Sequence, residues 1–248
     1  MLEARRNGPA EHLAKALEGR HPVTVFLAAA IVGYAALAAV TIAAGLLLTD
    51  VILRIDGVAR ADERIVTWLA AHRTATRTEA SLIGSIMAGG VVLPIVVGVA
   101  CLVLACFKRW RVAAFLLTAI AVEAATYRLT IAVVHRHRPR VARLEHLQVD
   151  ASYYSGHTAA SIAVYCGLVL LAASVIRSTW FRVCAWAFAV AVPLFVAGAR
   201  MYRGMHHPLD SLAGIAVGIA SVLVAVFAAR AAGAAVERRR LRARGAQP

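Results

Sequence analysis

The chain has 248 residues, 61% of them hydrophobic, and a formal net charge of +14, with a mean hydropathy of +0.73. That is too apolar for an ordinary soluble domain. The basic residues are set between long apolar runs, and the tail ERRRLRAR reads as a membrane-surface anchor facing anionic lipid rather than a nucleic-acid arm.

Residues 1–20 read as a short amphipathic lead-in. Charge-free runs follow at 21–49, 80–107, 158–176, 183–199 and 211–229, each near or above the roughly 18 residues that suggest a spanning helix. A further run, 112–134, is apolar except for Glu123 and Arg128. These predict six transmembrane helices, at about 23–49, 82–106, 112–135, 156–176, 183–200 and 208–230. The first run is too long for a signal-peptide core and fits an uncleaved span. Between the first two helices, Ile52, Ile55, Val58, Ile65, Trp68 and Leu69 give 50–80 the pattern of an interfacial helix. FKRWR and IRSTWFR are tight turns. Gly214 and Gly218 form a GxxxG pattern, read as close helix packing.

The predicted class is therefore all-α: an integral-membrane six-helix bundle. A lead-in (1–22) precedes one membrane domain (23–230), and a basic tail (231–248) follows. With the N-terminus inside, the inner segments hold 15 of the 27 basic residues, Arg6 and Arg244 among them, but only four of the 13 acids. This fits the positive-inside rule and predicts a multi-pass cell-membrane protein with both termini cytoplasmic. Cys101, Cys106, Cys166 and Cys184 all lie in apolar runs without metal-ligand spacing, so free, buried thiols are expected.

Under this topology three polar clusters share the outer face: HRHRPR (135–140), SYYSGH (152–157) and GARMYRGMHHPLD (198–210). Convergence at one depth is what a single site requires. Arg138 and Arg200 are planar, permanently charged donors suited to phosphate oxygens. Arg136, Arg140 and Arg143 read as lipid-headgroup contacts. Ser155 is placed to cap the fourth helix, and Gly156 lets backbone N–H groups approach an anion. His157 carries an imidazole able to deliver a proton. Pro208 is placed in the first turn of the last helix. Asp210, in the same turn, is positioned to accept from a histidine just upstream, leaving the other ring nitrogen free to attack. Spacing alone admits both His206 and His207 as that histidine.

These residues resemble the type 2 phosphatidic acid phosphatase (PAP2) superfamily, whose pattern is Lys-x6-Arg-Pro, Pro-Ser-Gly-His and Ser-Arg-x5-His-x3-Asp. Arg138-Pro139, Ser155-Gly156-His157 and Arg200-x5-His206-x3-Asp210 match it, all within 131–210. Ile131 stands at the lysine position, Tyr154 at the proline and Ala199 at the serine. The resemblance implies a helical bundle. It implies that His206 is the nucleophile, Asp210 its orienting carboxylate and His157 the general acid. Arg138, Arg200, Ser155 and Gly156 would bind phosphate. His207 and Arg203 become bystanders. Arg128, one helical turn before Ile131, is the candidate replacement for the lysine. The competing reading pairs it with Glu123 inside the bundle.

The implied reaction is hydrolysis of a lipid phosphate or diphosphate monoester through a phosphohistidine. Phosphatidic acid, phosphatidylglycerophosphate and polyprenyl diphosphate are the candidate substrates. The expected partners are that lipid and the bilayer, with no nucleic acid. No cofactor and no metal are expected, because the arginine clamp supplies the neutralising charge. Ile131 favours the alternative, a non-catalytic lipid-phosphate binding protein that kept the fold.

Overall fold

The computed structural model describes residues 3–5, 7–145 and 150–245, with side chains to Ala243. Arg6 and the Arg244 side chain lie outside the described residues. Short α1 (Pro9–Ala16) is followed by α2 (Pro22–Asp50), a 3-10 turn (Ile52–Arg54), α3 (Asp56–Ala71), α4 (Ala75–Met87), α5 (Val92–Cys106) and α6 (Trp110–Val133). Then come α7 (Gly156–Ser161), a π-helical turn (Ile162–Cys166), α8 (Gly167–Val175), α9 (Thr179–Tyr202) and α10 (Pro208–Gly245). The regular elements among the described residues are all helical, with one isolated antiparallel bridge, His137 to Ala151.

Five helical stretches are long and apolar enough to cross a membrane: Pro22–Arg54, Trp110–Val133, Gly156–Val175, Thr179–Tyr202 and Pro208–Ala243. The α4–α5 pair makes a sixth, bent by 44°. The chain is a multi-pass membrane protein. α2 is apolar around its whole circumference, and Leu27, Ile31, Val32, Val40 and Leu47 lie exposed along it. Such a helix is at equilibrium in hydrocarbon, not in water.

Four features differ from the sequence expectation. The predicted helix 82–106 is broken at residues 88–91, where Gly89 and Gly90 adjoin. Paired glycines carry the highest conformational entropy of any residue and hold a helix weakly. α3 forms as expected but turns its acidic side inward. Asp62 is buried, while Ile55, Ile65 and Trp68 are exposed. α10 does not stop near residue 230 but runs to Gly245. Its extension packs Ala231, Ala234 and Ala235 on Ala10 and Ala14 of α1, and Arg238 and Arg242 pair with Glu18 at 2.7 and 2.8 Å. The cysteines are free, but Cys106 and Cys184 are exposed on the helix surface instead of buried.

α10 is the central element, packed on α2, α6 and α7. A Cβ on Gly214 would sit 2.6 Å from the Ser155 carbonyl oxygen, and one on Gly218 would sit 2.6 Å from that of Ala159. The GxxxG pair therefore lets the α7 backbone lie directly on α10. This contact brings the second polar cluster against the third, and the Ser155 N–H donates to the Asp210 carbonyl at 3.0 Å.

Candidate active site

The three polar clusters meet at one end of the bundle. After α6, residues 136 and 137 are tied to Ser152, just ahead of α7. The Ser152 N–H donates to the Arg136 carbonyl at 2.8 Å, and the Ser152 hydroxyl to the His137 carbonyl at 3.0 Å. This fixes the Ser152 carbonyl, which stands 2.7 Å from His206 Nδ1. A carbonyl can only accept, so Nδ1 carries the hydrogen and Nε2 keeps its lone pair. His206 is 2% exposed. Burial, reinforced by the charges of Arg200 and Arg138, holds its imidazole well below the usual range, against the pull of Asp210 and Ser152. His206 is thus a neutral imidazole with a free nitrogen in a cationic surround.

Arg200, in the last turn of α9, is fully buried. One terminal nitrogen donates to the Ser85 hydroxyl and to Glu145, the latter at 2.5 Å. Its Nε and second terminal nitrogen have no hydrogen-bond partner among the described residues. Two unpartnered buried donors on a cation cost on the order of 1–3 kcal/mol each, and a tetrahedral oxyanion would satisfy both. Arg138 is also buried and donates to the Met205 carbonyl at 2.5 Å, next to His206. A cavity of about 390 Å³ opens beside Arg138 and His207. Another of about 320 Å³ opens at the α4–α5 break beside Ser85 and Glu145.

Glu145 is a site residue that the sequence did not reveal. It accepts from Ser85 at 2.7 Å and from Arg203 at 2.5 Å, besides Arg200. Burial works against its charge, but Arg200 and the hydrogen bonds from Ser85, Arg200 and Arg203 win and lower its carboxyl to about 2. It lies in a loop with no periodic or motif signal around it. Arg203, read as a bystander, is buried and also donates to the Ser81 hydroxyl at 3.1 Å.

Asp210 lies 3.9 Å from His206 Nδ1, so it faces the histidine electrostatically without a hydrogen bond. Its oxygens are held by other groups. Oδ1 accepts from Arg136, while Oδ2 accepts from the His207 N–H at 2.8 Å and faces His207 Nδ1 at 3.2 Å. Arg136 is therefore no headgroup contact. It is buried between Asp210 and Asp62, where two carboxylates offset its desolvation. His207 is no interfacial bystander either, since it is buried and its Nε2 lies 3.0 Å from Glu63. Arg143 pairs with Asp150 at 2.6 Å, and Arg140 is exposed, its backbone N–H donating to Glu63 at 2.8 Å.

Ser155 stands at the N-cap position of α7 but does not cap it. Its hydroxyl pairs with Thr158 Oγ1 at 2.9 Å. A Cβ on Gly156 would meet the Tyr127 ring at 2.9 Å, so packing alone already requires glycine there. His157 is within electrostatic reach of Arg200, Glu145 and Arg138. Arg128 is not brought to the cluster: it is exposed on the outside of α6. Nor does it pair with Glu123, which is buried and accepts instead from the Tyr154 hydroxyl at 3.4 Å. Tyr154, standing where the motif has proline, thus satisfies a buried acid. Among the described residues no group of three or more His, Cys, Asp or Glu side chains is arranged to hold a metal ion.

Taken together, the fold and the site define a membrane helical bundle with a buried histidine beside two buried arginines at one end. Residues 111–233 match the PAP2 superfamily, and this segment is a PAP2 region. Among solved structures, the chain is similar to a transmembrane PAP2 type phosphatidylglycerolphosphate phosphatase from Bacillus subtilis. The TM-score is 0.60 at 21% identity, over 82% of this chain and 93% of the other. This likeness is one of fold. No curated protein matches the chain.

Proposed function

We propose that the protein is a lipid phosphatase that hydrolyses a phosphate or diphosphate monoester through a phosphohistidine on His206. The observation that carries this reading is the pair of unpartnered Arg200 donors, buried close to a neutral His206 whose Nε2 is free. In the first step Nε2 attacks phosphorus and the bond from phosphorus to the lipid oxygen breaks. His157 gives the departing oxygen its proton, and the bound phosphate's negative charge favours that protonated imidazole. In the second step His157 takes a proton from water, the hydroxide attacks phosphorus, and the P–N bond breaks to release phosphate. Arg200 and Arg138, with the Gly156 N–H, are assigned to the equatorial oxygens. Asp210 stabilises the positive charge that builds on His206. Ser155 is assigned to the phosphate pocket through its buried position beside Asp210.

The related Bacillus subtilis protein is named for phosphatidylglycerolphosphate, which makes phosphatidylglycerophosphate the first substrate to test. Phosphatidic acid and polyprenyl diphosphate follow. The basic inner segments support a cell membrane location, cytoplasmic termini and a site on the outer face. The non-catalytic reading keeps one observation in its favour: neither Ile131 nor Arg128 supplies the third cation of the motif. Phosphate release from a lipid panel in detergent, with EDTA and with His206→Ala, decides between them. Activity lost with EDTA sinks the metal-free reaction. Full activity in the alanine variant sinks the nucleophile. Binding without turnover in the wild type establishes the non-catalytic reading.

A further inference from the structure

The two residues that hold the Asp210 side chain are themselves anchored from outside the matched segment. Asp210 Oδ1 takes one terminal nitrogen of Arg136, and the other nitrogen of that guanidinium takes Asp62 Oδ2. Asp62 Oδ1 accepts the Leu209 N–H at 3.0 Å, which caps α10 from α3. On the other side, Oδ2 takes His207, and His207 takes Glu63 at 3.0 Å. Glu63 in turn accepts the Arg140 N–H at 2.8 Å. Carboxylates alternate with their hydrogen-bonding partners along this line: Glu63, His207, Asp210, Arg136, Asp62. Asp210 is 0% exposed and Asp62 3% exposed, so each needs its partners.

We propose that α3 supplies two positioning residues, Asp62 and Glu63, which fix the Asp210 carboxylate through Arg136 and His207. The proposal rests on the phosphohistidine reading above. Its geometric consequence is specific. With both oxygens engaged, Asp210 stays 3.9 Å from His206 Nδ1. It is close enough to stabilise the imidazolium of the transition state. It is too far to draw the Nδ1 hydrogen from the Ser152 carbonyl, which sets the tautomer that attacks. If Glu63 is lost, His207 loses its outer anchor, Oδ2 is held by the His207 backbone N–H, and the carboxylate can pivot on that bond toward Nδ1. Displacement of a catalytic group by about 1 Å reduces turnover on the order of 10²-fold. Ground-state binding of phosphate, carried by Arg200 and Arg138, is untouched by that movement.

The test uses full-length protein in detergent with the lipid that the wild type hydrolyses fastest. Glu63→Ala, which removes the acceptor that anchors His207, is expected to lower kcat about tenfold with KM within about twofold. His207→Asn keeps a donor toward Asp210 but gives up Glu63, and is expected to lower kcat similarly. The double variant is expected to be no worse than His207→Asn alone, because the two act in one line. Melting temperatures are measured beside the kinetics, and His206→Ala is the control. Unchanged kcat in both single variants, with His206→Ala inactive, overturns the positioning role and leaves the nucleophile standing. So do multiplicative losses in the double variant that track falling melting temperature. Activity in His206→Ala overturns the underlying phosphohistidine reading instead. If His207→Asn does not accumulate, Glu63→Ala, at a side chain 32% exposed, decides alone through its kcat against KM.

Discussion

Glu145 holds one Arg200 nitrogen with a carboxylate beside the two left unpartnered, and Glu145→Gln tests whether that charge competes with a bound phosphate. The wild-type carboxyl is lowered from 4.5 to about 2, which corresponds to roughly 3 kcal/mol of attraction. The side chain is 22% exposed, so solvent screening reduces the usable figure to about 1–3 kcal/mol. A phosphate bound by the two unpartnered Arg200 nitrogens meets this negative charge on the same guanidinium. Glutamine keeps the shape and a hydrogen-bond acceptor but removes the charge. Inorganic phosphate is therefore expected to inhibit Glu145→Gln about 5- to 100-fold more tightly than wild type, at 1.4 kcal/mol per tenfold. The substrate KM is expected to fall in the same direction. The assay is competitive inhibition by phosphate at pH 7 against a detergent-solubilised lipid phosphate. The stability change has its own pH signature. A depressed carboxyl contributes stability above its unfolded value of about 4.5 and loses it as pH falls through the folded value. Wild type is therefore expected to melt above the variant at pH 7, and the gap is expected to close toward pH 2. An inhibition constant unchanged within about twofold, or weaker, refutes the competition.

Further outcomes follow from the same geometry. The His206 imidazole is held below its usual range, so the unfolded chain binds a proton near pH 6.5 that the folded chain refuses, and stability falls as pH drops below that value. His206→Asn is expected to flatten this decline in melting curves between pH 7 and 5. Arg200→Lys replaces a planar fork of donors with a point charge and is expected to lower kcat/KM by about 10²-fold or more, read by phosphate release. Gly218→Ala places a Cβ 2.6 Å from the Ala159 carbonyl oxygen, and the forced separation of α7 from α10 is expected to cost about 1–3 kcal/mol in thermal or denaturant unfolding. Arg128→Ala removes an exposed side chain with no site contact and is expected to leave kcat and KM within about twofold.

The sequence by itself determined the membrane class, the six hydrophobic segments and the alignment of three polar clusters. Each is written in local composition and spacing, because a spanning helix must be apolar along its whole length. His206, His157, Arg138 and Arg200 could be singled out by their motif spacing. Tertiary structure alone decided what surrounds them. Arg136 and His207 have the composition of headgroup contacts, yet they are buried because α3 turns Asp62 and Glu63 inward. That partnership spans 74 residues for Arg136 and 144 for His207, and no local periodicity encodes it. Glu145 reaches Arg200 from a loop without pattern. The orientation of His206 comes from a backbone carbonyl, Ser152, a group that every residue carries and no sequence distinguishes. The apolar pattern fixes which segments enter the bilayer. Which polar groups then share the water-poor end of the bundle depends on how the helices and loops pack, because each buried charge is stable only beside the partner that the fold delivers.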